Sequence, residues 1–160
     1  MNIFVVDKDP VTAAQQLCDR HVIKMVLETA QLLCSAFEPG SAPYKRTHFN
    51  HPCAIWTRKS EANFDWLVQH GIGLADEYTR RYDKIHGSRK VIEWAAENKS
   101  RLAFTENSLT PFAQAMPEKY RATNSVDSYR AYYLSEKSSF ATWKSPALPP
   151  SWWKSWSRND

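Results

Sequence analysis

Glycine is scarce in this 160-residue chain, with four in all, and cysteine is scarcer, with three. So few glycines leave no Gly-rich phosphate loop and no Gly-x-Ser-x-Gly turn, which removes the support for nucleotide hydrolysis and serine-type acyl transfer. Cys18, Cys34 and Cys53 are odd in number and contain no Cys-x-x-Cys pair. A disulfide framework is therefore not expected, and a reducing compartment fits. No apolar run reaches 18 residues, and the stretch from Asn2 to Val6 is too short and uncharged in front to be a signal peptide. An intracellular, cytoplasmic protein is expected (host cytoplasm if the source is viral), with no membrane partner. Internal repeats and linkers are also missing, so residues 1–160 read as a single domain and a monomer.

Aromatic residues are abundant, at 13%. With so little glycine, they point to a mainly α fold: one compact helical domain with an extended N-terminal segment and an aromatic-rich C-terminal tail. Ile3, Phe4, Val5 and Val6 form the one β-like run, expected as an extended piece tucked into the core. Asp9-Pro10 starts a helix by capping, with proline at the first helical position. That helix is expected to break near Asp19 and resume to about Phe37, where Glu38-Pro-Gly-Ser-Ala-Pro43 ends it. A second helical region, capped by Asn50 or His51, runs to about Asp83, and Gly71 and Gly73 within it mark a close approach of another backbone. A third spans Arg89 to Asn98 with Ser88 as cap. Short turns open at Thr110-Pro111 and Pro117, a helix runs from Ser125 or Asp127 to Thr142, and the tail carries Trp152, Trp153 and Trp156.

The helix beginning Asp19-Arg-His21 is the most informative segment. At 3.6 residues per turn, His21, Lys24, Glu28 and Gln31 fall in one narrow stripe. Val22, Val26, Ala30 and Leu33 form the opposite face, with Met25, Leu27 and Leu32 flanking the stripe. A helix apolar nearly all round is usually buried, so the stripe is expected to line a cleft fit for acid–base chemistry. The plainer alternative is an exposed Lys24–Glu28 pair worth a few tenths of a kcal/mol.

Lysine and arginine total 21 against 17 acidic residues, a formal charge of +4, which suits a polyanionic partner. Between Tyr129 and Lys144 rings alternate with cations: Tyr129, Arg130, Tyr133, Lys137, Trp143 and Lys144. Stacking and phosphate contact of this kind hold single or flipped-out bases. The same pattern also fits an aromatic core seam with snorkelling cations. His48, His51 and Cys53, taken with Cys18 and His21, contain the ingredients of a zinc site at no standard finger spacing. His70 and His86 have no sequence partners and read as surface or packing residues.

In order, these motifs resemble the phage-type pyrimidine-dimer DNA glycosylases of the endonuclease V class. The resemblance rests on Asp19-x-His21 with Glu28 seven residues on, then His51, Trp56, Arg58, Glu77 and Arg80-Arg81. Met116-Pro-Glu-Lys-Tyr-Arg121 is similar to a late turn of the family, and Tyr129 to Lys144 looks like its aromatic, DNA-touching part. The resemblance implies a helical enzyme that binds duplex DNA with a flipped or damaged base, needs no cofactor or metal, and excises a damaged or modified pyrimidine. In such an enzyme a free N-terminal amine attacks the sugar C1′, a Schiff base forms, and β-elimination cuts the strand. Glu28 would support the sugar intermediate, with His21 in the same cleft and Lys24 a substitute phosphate contact. Arg58 and Arg121 join the DNA-binding set.

Asn2 is bulky where the family has a small residue, so Met1 is expected to stay and to supply the amine. Leu27 and Gln31 stand where the family has arginines. An α-amine with a pKa of about 7.7–8.0 is neutral in roughly a tenth or more of molecules at pH 7, whereas an ordinary lysine at about 10.4 is neutral in fewer than about one in a thousand. Three other readings stay open: an enzyme that modifies pyrimidines in viral DNA, a DNA-binding protein without chemistry, and a zinc enzyme using His48, His51 and Cys53.

Overall fold

The computed structural model describes residues 1–153, so Trp156 of the expected tail lies outside the described residues. The helices are α1 (Pro10–Gln16), α2 (Asp19–Ser35), α3 (Pro52–Lys59), α4 (Glu61–Tyr82), α5 (Arg89–Glu97) and α6 (Ser125–Glu136). Single 3-10 turns lie between α5 and α6, at Lys99–Arg101 and Glu118–Tyr120. Among the described residues there is no strand, only one isolated bridge between Ser60 and Glu106. None of these helices is long and apolar enough to cross a membrane.

Helix starts follow local chemistry. The Asp9 carboxylate accepts the Thr12 N–H at 2.8 Å and Pro10 occupies the first turn of α1. His51 caps α3 through Nδ1, which accepts the Cys53 N–H at 3.0 Å. Ser88 does not cap α5 with its side chain; its hydroxyl instead pairs with the Tyr44 hydroxyl at 2.8 Å. The expected long second helix is two helices. Ser60 is extended (φ −139°, ψ 155°) and its hydroxyl restarts the chain as α4 by accepting the Asn63 N–H at 3.0 Å.

Two further expectations are corrected. Thr110-Pro111 opens no helical turn, because Asn63 holds two polar groups of Thr110: its N–H donates to Asn63 Oδ1 at 2.9 Å and its hydroxyl accepts from Asn63 Nδ2 at 2.7 Å. Helix α6 stops at Glu136 and does not reach Thr142. Thr142 is drawn to the start of α2, where its carbonyl accepts the Asp19 N–H at 2.8 Å and its hydroxyl donates to Asp19 Oδ2 at 2.9 Å.

Helix α4 is the centre of the fold and packs against α1, α2, α3 and α5. A Cβ at Gly71 would lie 2.8 Å from both Ile92 Cδ1 and Thr29 Cγ2, and one at Gly73 would lie 3.1 Å from Ala14 Cβ. Both glycines therefore let neighbouring helices close onto α4. Ile3 to Val6 run through this core at 0–5% exposure.

Burial also tunes the packing histidine His70, which is 1% exposed and hydrogen-bonds the Pro10 carbonyl at 2.9 Å. Desolvation pushes its pKa down to about 4, against a partial rise from that bond. The folded pKa is depressed, so the stabilisation is complete above about pH 6.5 and is lost as pH falls towards 4. The difference corresponds to about 3 kcal/mol at about 1.4 kcal/mol per unit. Urea midpoints measured from pH 7 to pH 4 should fall steeply, and His70→Gln should flatten that slope. An unchanged slope would remove His70 as its source.

Candidate active site

The first turns of α2 meet the start of the chain. Glu28 is 8% exposed, and its Oε1 lies 3.4 Å from the Met1 amine and accepts the Asn2 N–H at 3.2 Å. Its other oxygen lies 3.5 Å from Lys24 Nζ, whose side chain is 65% exposed. The stripe therefore turns its carboxylate inward and leaves its lysine at the rim. A cleft of about 400 Å³ opens here, lined by Met1, Asn2 and Phe4, by His21, Lys24 and Glu28 of α2, and by His51. Ala115, Tyr132 and Lys137 close its far side. Gln31 does not reach it and lines a neighbouring depression with Leu27.

Asn2 holds this geometry, a role that its bulk alone does not reveal. Its Nδ2 donates to the Ala115 carbonyl at 2.9 Å, and its Oδ1 accepts from the Ile3 N–H at 2.7 Å and from the Tyr129 hydroxyl at 3.0 Å. The chain start is thus tied to residues more than 110 positions away. A side-chain amide at position 2, able both to donate and to accept just before a β-like run, is the signal that points to this role.

His21 stacks on Phe4 with centroids 4.3 Å apart and rings 11° from parallel. Its Nδ1 lies 2.9 Å from the Tyr133 hydroxyl, and the oxygen of that hydroxyl already accepts the Cys18 N–H at 2.8 Å. All these buried groups are satisfied when the Tyr133 proton points at Nδ1, which leaves the imidazole proton on Nε2. Burial, reinforced by Lys137, Lys24 and Arg20, pushes the His21 pKa down to about 3, so the ring is neutral near pH 7.

A family model described as pyrimidine dimer DNA glycosylase matches residues 1–89, more than half of the chain. The chain belongs to the pyrimidine dimer DNA glycosylase family. No curated protein and no solved structure matches it. In this pyrimidine dimer DNA glycosylase family member, the matched stretch contains Met1, His21, Lys24, Glu28 and His51, while Ala115, Tyr132 and Lys137 come from beyond it. Family membership implies that the protein binds DNA.

The residues expected to touch DNA are dispersed. Tyr129 and Tyr133 are 0% exposed, so neither can stack on a base; their hydroxyls organise Asn2 and His21 instead. Helix α6 also ends at Glu136, so Lys137, Trp143 and Lys144 of the expected ring-and-cation run lie beyond it. Lys137 lies in the cleft, with Nζ 3.4 Å from the Tyr132 hydroxyl. Arg130 is half-buried and donates to the Val6 carbonyl at 2.8 Å. Trp143 is half-buried, its indole N–H donating to the Gln16 carbonyl at 3.1 Å, so it helps close the core over the end of α1. Lys144 and Arg121 are exposed, and Arg58 stacks over Phe49 at 3.8 Å from its centroid.

The zinc reading is corrected. Among the described residues no group of three His, Cys, Asp or Glu side chains is placed to hold a metal ion. His51 spends Nδ1 on its helix cap, and His48 Nδ1 pairs with the Thr47 hydroxyl at 2.8 Å. Burial pushes the Cys53 thiol up to about 12, which keeps it protonated.

Proposed function

We infer that this cleft excises a pyrimidine base and then cuts the strand at the exposed sugar, with the Met1 amine as nucleophile and Glu28 as its carboxylate partner. The observation that carries this reading is the 3.4 Å separation of the Met1 nitrogen from a carboxylate buried in an open cleft. A volume of about 400 Å³ lies within the usual range of about 300–1,000 Å³ for small-ligand sites. Extruding a nucleotide costs a few kcal/mol, less when the base is damaged, which favours lesions.

In the first step the neutral amine forms a bond to C1′ while the C1′–N1 bond breaks and its electron pair leaves with the base. The proton shed by the attacking nitrogen goes to the departing base, so a neutral pyrimidine no longer bonded to its sugar and an amine-bound sugar result. Opening of the sugar ring then gives an iminium at C1′ and a hydroxyl at C4′. Loss of a C2′ proton expels the 3′ phosphate by β-elimination. Among the described residues Glu28 is the cleft's one carboxylate, set to stabilise the cationic sugar and to accept protons from the amine or C2′. His21, neutral with Nε2–H as its free polar end, serves as a hydrogen-bond donor and not as a base. Lys24 and Lys137 supply charge for flanking phosphates.

Borohydride reduction in the presence of abasic-site DNA should give a covalent adduct that maps to the peptide beginning at Met1. An adduct at Lys24 would change the nucleophile, and the absence of any adduct would eliminate the amine mechanism.

A further inference from the structure

His51 stands at the junction of the 44–50 loop and α3, on the cleft wall with Met1 and Glu28. Its Nδ1 accepts the Cys53 N–H at 3.0 Å. A neutral imidazole has one acceptor nitrogen, and the cap uses it, so the ring proton is on Nε2. Protonating Nδ1 would set two N–H groups against each other and break the cap. Burial also disfavours the imidazolium, as do the Met1 amine and His48, against a weaker opposing pull from Glu28. His51 is thus a neutral donor beside the proposed nucleophile.

We propose that His51 is a catalytic residue whose Nε2–H donates to the O2 carbonyl oxygen of the pyrimidine as it leaves C1′. The proposal rests on the excision reading above. As the amine nitrogen bonds to C1′ and the C1′–N1 bond breaks, the released electron pair spreads from N1 onto O2. The Nε2–H meets that charge, the amine's proton goes to the base, and His51 itself neither gains nor loses a proton. Full negative charges on phosphates are better matched by Lys24 and Lys137 at the same cleft. A fixed neutral donor suits a partial charge that grows only during reaction. The shape of the donor set agrees: His21 offers a second neutral Nε2–H, and among the described residues Glu28 is the cleft's one anion.

The test separates base departure from sugar chemistry. Asparagine and serine are good helix caps, so His51→Asn and His51→Ser keep the start of α3 but remove the reach of Nε2. Single-turnover cleavage of the C1′–N1 bond in duplex DNA carrying pyrimidine dimers should slow by about 10²–10³-fold in both variants, the usual loss for one such donor. Borohydride trapping on preformed abasic-site DNA, where no base departs, should stay within about twofold of wild type. Equal loss on both substrates would reduce His51 to a structural cap, and undiminished C1′–N1 cleavage would remove it from the reaction; either result overturns the proposal. If the wild-type protein itself traps no adduct on abasic-site DNA, the excision reading fails, and this proposal with it.

Discussion

Glu28→Gln should cut base release by about 10²–10⁴-fold, the range typical of losing a positioned acid–base group, while DNA affinity changes little. Glutamine keeps the size of the side chain and an oxygen able to accept the Asn2 N–H, now held at 3.2 Å. What disappears is the negative charge 3.4 Å from the Met1 nitrogen. The cationic sugar then lacks its counter-charge and the amine lacks a proton acceptor. Affinity should persist because Lys24 and Lys137 remain; the ion pair of Lys24 with Glu28 is largely exposed on the lysine side and contributes little. Single-turnover release and equilibrium binding at one fixed salt concentration separate the two quantities. Base release equal to wild type would remove Glu28 from the chemistry.

Arg81→Met should cost about 3–5 kcal/mol of stability, the range for breaking one side of a buried ion pair. The Arg81 side chain is fully buried and joins Glu77 at 2.9 Å, Asp19 at 3.1 Å and the Gln15 carbonyl at 3.0 Å. The loss should fall at the lower end, because Arg80 still pairs with Glu77 at 2.8 Å. The same cluster binds the segment after α6 to α2, since Asp19 Oδ1 also accepts the Lys144 N–H at 2.8 Å. Urea unfolding at constant slope measures the change. A loss below about 1 kcal/mol would show that the three helices hold without this cluster.

The α2 stripe was legible because its information is periodic: His21, Lys24 and Glu28 share a face by spacing alone. The cap at Asp9, and the one at His51 as one of two adjacent candidates, were legible for a similar reason, as local chemistry at fixed offsets. Ser60 was missed because a one-residue break leaves the apolar pattern of α3 and α4 nearly continuous. The tyrosines failed in a different way. Tyr129 and Tyr133 four apart define a helix face, but nothing in that spacing says whether the face meets DNA or the core. Their actual partners, Asn2 and His21, lie 127 and 112 residues away, and such pairings leave no local trace. Asn2 was likewise read by its size, when its amide is what holds the chain start in place.

The end of a polypeptide is ordinarily its loosest part, yet here the first six residues are clamped between an early helix and segments far downstream. On the proposed mechanism, the loss of freedom that a nucleophile must suffer before reaction is met once, when the protein folds, and not at each encounter with DNA. Adding a single residue ahead of Met1 would shift the reactive nitrogen by up to about 3.8 Å, more than its present separation from the Glu28 carboxylate. On the proposed mechanism, such an addition at the head would carry the nucleophile away from its carboxylate.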